Sequence, residues 1–182
     1  VCKGTAPADP KQAAREACTF TAGARVADTL GLDAARRSAI PIKNVIVVMK
    51  ENRSYDELFG QLPLAGQPDA EAVPADYANP GTDGTMVPRY HETNSCIKAD
   101  PGHQWDEMHM MKNGGAMDGF VKSAAKTTSK AQYKDGKFVM GYFDQTDLPF
   151  YYFLANTYAI ADRYFPSILS GTWPNRDFLL YA

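Results

Sequence analysis

The sequence is poor in several features that identify common protein classes. Its 182 residues include only three cysteines, three histidines and two tryptophans. Cys2, Cys18 and Cys96 lack the spacing of zinc ligands, which argues against a zinc cluster. With 19 basic and 21 acidic residues, the formal net charge is −2, and no broad positive surface is expected for nucleic acid. Apolar runs are short: Val45–Met49 has five residues, against about 20 in a membrane-spanning helix.

What is present fits an ordinary globular protein. Apolar residues make up 45% of the chain and charged residues 22%, values that exclude wholesale disorder and a coiled coil. Aromatic residues reach 12%, and many of them lie beyond residue 138. The length suffices for one domain with a hydrophobic core.

Two of the cysteines are placed to form a short disulfide loop. A bond between Cys2 and Cys18 would contribute about 3 kcal/mol if its geometry were unstrained. It requires an oxidising compartment, so we expect a secreted or periplasmic bacterial protein. Three unrelated thiols in a cytosolic protein are the alternative.

The chain changes character near residue 40. Residues 1–40, rich in alanine and charged residues, are predicted to be a helical or irregular leader. Residues 42–49 are rich in β-branched residues and become continuously apolar toward their end, which predicts a strand buried on both faces of a parallel sheet. Ser54 and Glu57 form a capping-box pattern, and Gly60 ends the short helix between them.

Further helices follow from capping residues and prolines. A helix is predicted from Gln104 to Met111, Pro149 starts another, and Thr172 precedes a third. A buried strand followed by helices gives the strand–loop–helix pattern of open α/β sheets.

Polar residues that follow the predicted strand are the first candidate site. Glu51 and Asn52 offer a carboxylate and an amide oxygen side by side, and both suit a hard divalent cation. The alternatives are a solvated loop, a turn, or a glycosylation sequon formed by Asn52, Arg53 and Ser54.

The second candidate site is a hydroxyl at the start of a helix. Thr172 would lie among unpaired backbone N–H groups that bind phosphate, or it would simply cap the helix. Ser167 and Ser170 are equally suitable by residue type. His103 lies where a turn meets a helix and either points into a cleft or has a structural role.

These residues fall within a series of blocks that resembles the bacterial phosphoesterase family, which includes phospholipases C and related acid phosphatases. The blocks are Val45–Gly60, Asp100–Trp105, Asn113–Phe120, Met140–Tyr142, Asp147–Tyr151, Ala161–Phe165 and Gly171–Arg176. The resemblance covers most of the chain beyond the leader.

The resemblance implies an alkaline-phosphatase-like α/β fold, with a mostly parallel central sheet flanked by helices and present here only as its N-terminal part. It also implies a metal-dependent hydrolase. Glu51, Asn52 and Thr172 would bind one divalent metal ion of unknown identity. Thr172 would be the nucleophile that forms a phosphothreonine, and His103 would contact phosphate or transfer a proton. Arg176 is expected to lie outside the site and to be a structural partner of Asp162 or of another carboxylate. The substrate is expected to be a phosphomonoester or a phospholipid, with small soluble esters favoured because no amphipathic membrane element is evident.

Members of the resembled family are considerably longer. Residues 41–182 are therefore expected to be the N-terminal part of a catalytic domain, inactive alone and partnered by a C-terminal part that supplies further metal ligands. The alternative is a non-catalytic binding module that keeps the fold without a complete active site.

Overall fold

Residues 9–181 are described by a computed structural model, in which the chain divides into two compact units, residues 1–49 and 50–182. Each unit is described by itself. Among the described residues, no helix is long and apolar enough to cross a membrane.

The described residues of the first unit, 9–49, form three short helices, α1 (Gln12–Glu16), α2 (Val26–Leu30) and α3 (Ala34–Ser38). Arg15 Nη1 donates to the carbonyl of Thr29 at 2.8 Å and links α1 to α2. Asp33 caps α3 by accepting from the Arg36 N–H at 2.7 Å. No residue of 9–49 is fully buried, so local hydrogen bonds contribute more to these helices than burial does.

The predicted disulfide involves a residue outside the described part of the chain. Cys2 lies in the segment 1–8, so the bond between Cys2 and Cys18 stays a prediction. Cys18 and Cys96 are both exposed and are not bonded to each other.

The strand predicted at residues 42–49 is wrong for this structure. These residues belong to no helix or strand, and the side chains of Val45, Ile46, Val47 and Val48 are 69–87% exposed. A strand buried on both faces needs hydrogen-bonded neighbours and a covering layer. Residues 9–49 contain no other strand that could pair with it.

The described residues of the second unit, 50–181, form five α-helices, several short 3-10 helices and two small sheets. The α-helices are α4 (Tyr55–Phe59), α5 (Trp105–Lys112), α6 (Phe120–Thr127), α7 (Pro149–Thr157) and α8 (Thr172–Tyr181). Strands β1 (Ala78–Pro80) and β2 (Met86–Pro88) pair antiparallel, and β3 (Tyr90–His91) and β4 (Gly141–Tyr142) pair parallel. The described residues therefore have mixed helix and sheet, consistent with part of an α/β fold. They do not show the predicted central parallel sheet.

The helices predicted from local signals are present. Ser54 Oγ accepts from the Glu57 N–H at 3.3 Å, and α4 ends at Gly60, as the capping pattern predicts. Asn113 closes α5 with a φ of 44°, and Pro149 occupies the first turn of α7. These elements depend on interactions between residues a few positions apart, so a local sequence pattern is enough to predict them.

Two hydrophobic clusters stabilise the second unit. Leu62, Tyr152 and Ala155 are buried together, and Phe59 and Ile160 pack against them. This cluster joins α4 to α7. The other cluster joins β2 to α6 and consists of the buried residues Val87, Val121 and Met140.

The side chain of Asn79 connects β1 to the start of α6 and is fully buried. Its Oδ1 accepts from the N–H of Phe120 at 2.9 Å and of Val121 at 3.4 Å. Its Nδ2 donates to the carbonyl of Met117 at 3.1 Å. One amide therefore satisfies N–H groups that have no partner within α6.

Replacing Asn79 with alanine should lower the free energy of unfolding by about 2–4 kcal/mol, because buried hydrogen bonds are lost and a cavity remains. Urea denaturation measures the effect. The matched control is Asn94→Ala, since Asn94 is exposed and accepts from the Cys96 N–H. A loss no greater than that of the control would contradict the role of Asn79.

Candidate active site

A cleft of about 300 Å³ in the second unit contains all four residues that the sequence singles out for chemistry. Glu51, Asn52, His103 and Thr172 come from three separate stretches of the chain. The complete lining is Glu51, Asn52, Asp100, His103, Gln104, Gly171, Thr172, Trp173 and Pro174. Ser167 and Ser170, the alternatives to Thr172 by residue type, are not part of this lining.

Each stretch enters the cleft immediately before or at the start of a helix. Glu51 and Asn52 precede α4, and the peptide bond between them is cis. His103 lies two residues before α5, and Thr172 is the first residue of α8. Two helix starts, that of α5 at Gln104 and that of α8 at Thr172, therefore line the cleft, and unpaired N–H groups at such starts favour anions.

The loop before Thr172 is held by one side chain of α8. Asn175 Nδ2 donates to the carbonyls of Ile168 at 3.0 Å, Ser170 at 3.2 Å and Gly171 at 3.0 Å. Its Oδ1 accepts from the Ile168 N–H at 3.2 Å. Asn175 thus fixes the backbone that presents Thr172. The sequence analysis did not identify this role, because an asparagine in a first helical turn has no distinctive spacing.

His103 is oriented by its own loop and lies close to Gly171, the residue that precedes Thr172. Its Nδ1 lies 3.1 Å from the carbonyl of Pro101, so the neutral ring carries its proton on Nδ1 and leaves Nε2 as an acceptor. A Cβ on Gly171 would lie 3.2 Å from the His103 carbonyl oxygen and 3.3 Å from its Cδ2. The absence of a side chain at Gly171 therefore permits this close approach.

The loop that carries His103 is anchored to two helices. The N–H of Gly102 donates to Thr127 Oγ1, at the end of α6, at 2.9 Å. The N–H of Gln104 donates to Glu107 Oε2, in the first turn of α5, at 2.7 Å. These bonds fix the backbone on both sides of His103.

Arg176 contacts a candidate site residue. Its Nη2 lies 3.4 Å from Glu51 Oε2, and the two side chains are 34% and 51% exposed. Asp162 is the other carboxylate that the sequence suggests as a partner of Arg176. It accepts a hydrogen bond from the Glu71 N–H at 2.8 Å. Arg176 is four residues beyond Thr172 on α8, which places the two on one side of the helix. It therefore lies at the edge of the cleft and orients Glu51.

The donor atoms in the cleft suit a hard cation. Glu51 supplies a carboxylate, Asn52 an amide oxygen and Thr172 a hydroxyl, and no sulfur or imidazole ligand is needed. Oxygen-only sets of this kind fit Mg²⁺, Ca²⁺ or Mn²⁺. Three such side chains leave room for further ligands.

A separate cluster that the sequence analysis missed lies between β3 and the turn before α7. Atoms of His91, Asp144 and Asp147 that are able to bind a metal lie within 4.8 Å of one another. His91 Nε2 is 2.7 Å from Asp147 Oδ2, and the ring stacks on Tyr142 with centroids 5.7 Å apart. Because His91 is 53 or more positions away from both aspartates in sequence, no local motif indicates the cluster.

The contact between His91 and Asp147 predicts a dependence of stability on pH. The hydrogen bond that the His91 ring donates to the Asp147 carboxylate raises the pKa of His91. The pKa of Asp147 is lowered, first by the Asp144 N–H and then by His91. A raised histidine pKa stabilises the fold below the ordinary value of about 6.5, and this contribution is lost as pH rises through the folded-state pKa. The lowered pKa of Asp147 stabilises the fold at pH values above the ordinary aspartate pKa. This contribution is lost as the pH falls through the folded-state pKa of Asp147.

We therefore expect the stability of the protein to decline modestly from pH 6 to pH 8, and His91→Gln to remove that decline. Urea denaturation at several pH values, with an NMR titration of the His91 ring, measures both effects. His109→Gln is the matched control, because the His109 ring bonds only to the carbonyl of Trp105 within its own helix. Equal pH dependence in wild type and His91→Gln would refute the assignment.

Comparison with known proteins gives a consistent family assignment. The family model described as the phosphoesterase family matches residues 42–182. Phospholipase C A of Mycobacterium tuberculosis is 37% identical over 156 residues, which cover 78% of this chain and 29% of the relative. Non-hemolytic phospholipase C of Pseudomonas aeruginosa is 30% identical, with 76% of this chain and 20% of the relative covered. Non-specific phospholipase C6 of Arabidopsis thaliana is also 30% identical, with 78% and 28% covered.

The chain thus spans less than a third of the length of these curated relatives. The matched residues 42–182 include every residue of the cleft. The chain belongs to the phosphoesterase family.

Proposed function

We propose that this chain is part of a metal-dependent phosphoesterase of acid phosphatase or phospholipase C type, which hydrolyses phosphate esters through a phosphothreonine intermediate. The observation that carries the proposal is the meeting of Glu51, Asn52, His103 and Thr172 in one cleft. Family membership and relatives named phospholipase C support it.

Thr172 is the proposed nucleophile. Its Oγ1 forms a bond to phosphorus while the bond from phosphorus to the ester oxygen breaks, and the alcohol leaves with a proton. Water then attacks the phosphothreonine and releases inorganic phosphate or a phosphomonoester. Backbone N–H groups at the start of α8 bind the phosphoryl oxygens in both steps.

Glu51, Asn52 and Thr172 would hold one divalent cation. Bound there, it would lower the pKa of the Thr172 hydroxyl and offset charge on the phosphoryl oxygens. The contact of Arg176 with Glu51 fixes the direction of that carboxylate before a substrate enters.

His103 provides the proton-transfer group. With Nδ1 bonded to the Pro101 carbonyl, Nε2 is free to accept a proton or, when protonated, to contact a phosphoryl oxygen or donate to the leaving alcohol. The closeness of His103 to Gly171 supports a role in proton transfer at Thr172, the next residue.

Three protein ligands leave positions of a hard cation open to water, substrate or further residues, and the relatives are more than three times as long as the region matched. We propose that a C-terminal part supplies further ligands and that the whole catalytic domain has an alkaline-phosphatase-like fold with a mostly parallel central sheet. We further propose that the whole protein is secreted or periplasmic.

The alternative is a non-catalytic binding module. The contact of Glu51 with Arg176 favours it, because a guanidinium already neutralises the carboxylate that would bind a metal.

Hydrolysis by the full-length protein distinguishes the two functions. We expect release of p-nitrophenol from p-nitrophenyl phosphate or p-nitrophenylphosphorylcholine, and loss of that activity with a chelator. Preference between the two substrates separates the acid phosphatase type from the phospholipase C type. No hydrolysis of either compound with added Mg²⁺, Ca²⁺ or Mn²⁺ would favour the binding module.

A further inference from the structure

The cluster of His91, Asp144 and Asp147 has no part in the chemistry proposed above. None of its three residues lines the cleft. Their side chains are 35%, 29% and 20% exposed, so the group is partly buried but open to an ion from solvent. We call it the histidine–aspartate cluster.

The donor atoms of the cluster are spaced like ligands of a single ion. His91 Nε2 lies 2.7 Å from Asp147 Oδ2 and 3.6 Å from Asp144 Oδ2. Ligand atoms that share an ion at about 2.0–2.2 Å lie roughly 3.0–3.5 Å apart in octahedral or tetrahedral geometry. The two observed distances fall on either side of this range, so small rotations of the side chains would admit an ion.

The charge of the cluster also favours a cation. Two carboxylates face one imidazole, so the cluster is negative whether the ring is neutral or protonated. Within the described part of the chain, His91 is the only residue that forms an ion pair with Asp144 or Asp147, and no arginine or lysine does so. Carboxylates that are partly removed from water and incompletely neutralised attract a metal ion.

A buried hydroxyl next in the chain is exposed to the same negative charge. Tyr152, on α7, is 3% exposed, and its hydroxyl has no hydrogen-bond partner among the described residues. Burial is the largest cause that raises the pKa of Tyr152 to about 12, and the charges of Asp144 and Asp147 add to it. A cation at the cluster would offset this negative charge at the edge of the core.

Hydrogen bonds and ring stacking hold the three side chains in place. Thr146 donates to Asp144 Oδ1 from its N–H at 2.7 Å and from its hydroxyl at 2.6 Å, which leaves Oδ2 for an ion. The Asp144 N–H donates to Asp147 Oδ2 at 2.9 Å. The His91 ring stacks on Tyr142, its partner in the pairing of β3 with β4. Ligands held by such outer contacts lose little freedom when an ion binds.

We propose that the histidine–aspartate cluster binds one Zn²⁺ ion, separate from the cation of the cleft. One imidazole nitrogen and two carboxylate oxygens form a three-ligand set that suits Zn²⁺, with a fourth position for water. As the bond from His91 Nε2 to zinc forms, the proton that Nε2 donates to Asp147 is released to solvent. The ion would join β3 to the turn before α7. This inference does not depend on the proposed phosphoesterase function.

Calorimetric titration of the chelator-treated full-length protein with Zn²⁺ tests the inference. Glu51→Gln removes the carboxylate of the cleft, so the binding that remains reports on other sites. Adding His91→Gln to Glu51→Gln should weaken one equivalent of Zn²⁺ by about 100-fold or more, because one of three protein ligands is lost. Absence of Zn²⁺ binding in Glu51→Gln, or undiminished binding after His91→Gln, would overturn the inference.

Two further variants separate a built site from binding by any exposed histidine. Asp144→Asn keeps an oxygen that accepts from Thr146 but removes the charge, and it should weaken the same equivalent. His109→Gln is the matched control, because His109 is exposed and its ring bonds to the Trp105 carbonyl. Equal losses in His109→Gln and His91→Gln would refute the assignment. Circular dichroism shows whether each variant keeps the fold.

NMR of the imidazole nitrogens locates the ion. One equivalent of Zn²⁺ in Glu51→Gln should shift the ring resonance that is missing from the His91→Gln spectrum, and a shift confined to other histidines would refute the assignment. If the protein hydrolyses p-nitrophenyl phosphate but His91→Gln leaves Zn²⁺ binding unchanged, the phosphoesterase function stands and this inference fails. If His91→Gln removes Zn²⁺ from a protein without hydrolytic activity, the zinc site stands and the enzymatic function fails.

Discussion

Thr172→Val should reduce hydrolysis of p-nitrophenyl phosphate by the full-length protein by about 10³-fold or more, as removal of other enzymes' nucleophiles does. Valine has nearly the shape of threonine but lacks the hydroxyl that would attack phosphorus. Thr172 is partly exposed at the start of α8, so the fold should persist. Steady-state kinetics and thermal unfolding together measure the effect.

Thr172→Ser is the matched control, because it restores a hydroxyl at the same position. It should retain measurable activity. Rapid quenching of wild type and Thr172→Ser during turnover should reveal a phosphoryl group on the peptide that contains residue 172, and Thr172→Val should carry none. Unchanged activity in Thr172→Val would remove this residue as the nucleophile and leave Ser167 or Ser170 to be tested.

Glu51→Gln should remove the bound divalent cation and lower activity by about 10²-fold or more. The substitution keeps size and polarity but eliminates the one carboxylate among the three proposed ligands, and charge dominates the attraction of a hard cation. Elemental analysis of the dialysed full-length protein gives the metal content. Asn52→Ala should act in the same direction, since an amide oxygen ligand is lost.

Glu71→Gln is the matched control for Glu51→Gln. The Glu71 carboxylate also pairs with an arginine, Arg163, and is comparably exposed, but Glu71 does not line the cleft. Its substitution should leave the metal content unchanged. Full metal content in both Glu51→Gln and Asn52→Ala would exclude these residues as ligands and support the non-catalytic alternative.

Local structure in the second unit was predictable because its signals act over short distances. Ser54 accepts a hydrogen bond from the otherwise unpaired N–H of Glu57 within the first turn of α4. Pro149 has no backbone N–H that would need a partner in the first turn of α7. The prediction for residues 42–49 was wrong because a buried strand depends on neighbours that the described chain does not provide. The composition of residues 42–49 shows that the segment is apolar, but it does not show which residues would cover it.

The sequence by itself identified Glu51, Asn52, His103 and Thr172 as residues suited to phosphate chemistry, through residue type, local position and family resemblance. Only the tertiary structure brought them to one cleft and showed the contacts that Asn175 and Arg176 make beside it. The Arg176 guanidinium contacts a carboxylate 125 positions away. Helix caps are determined by hydrogen bonds between near neighbours, whereas such a distant contact depends on the path of the whole intervening chain.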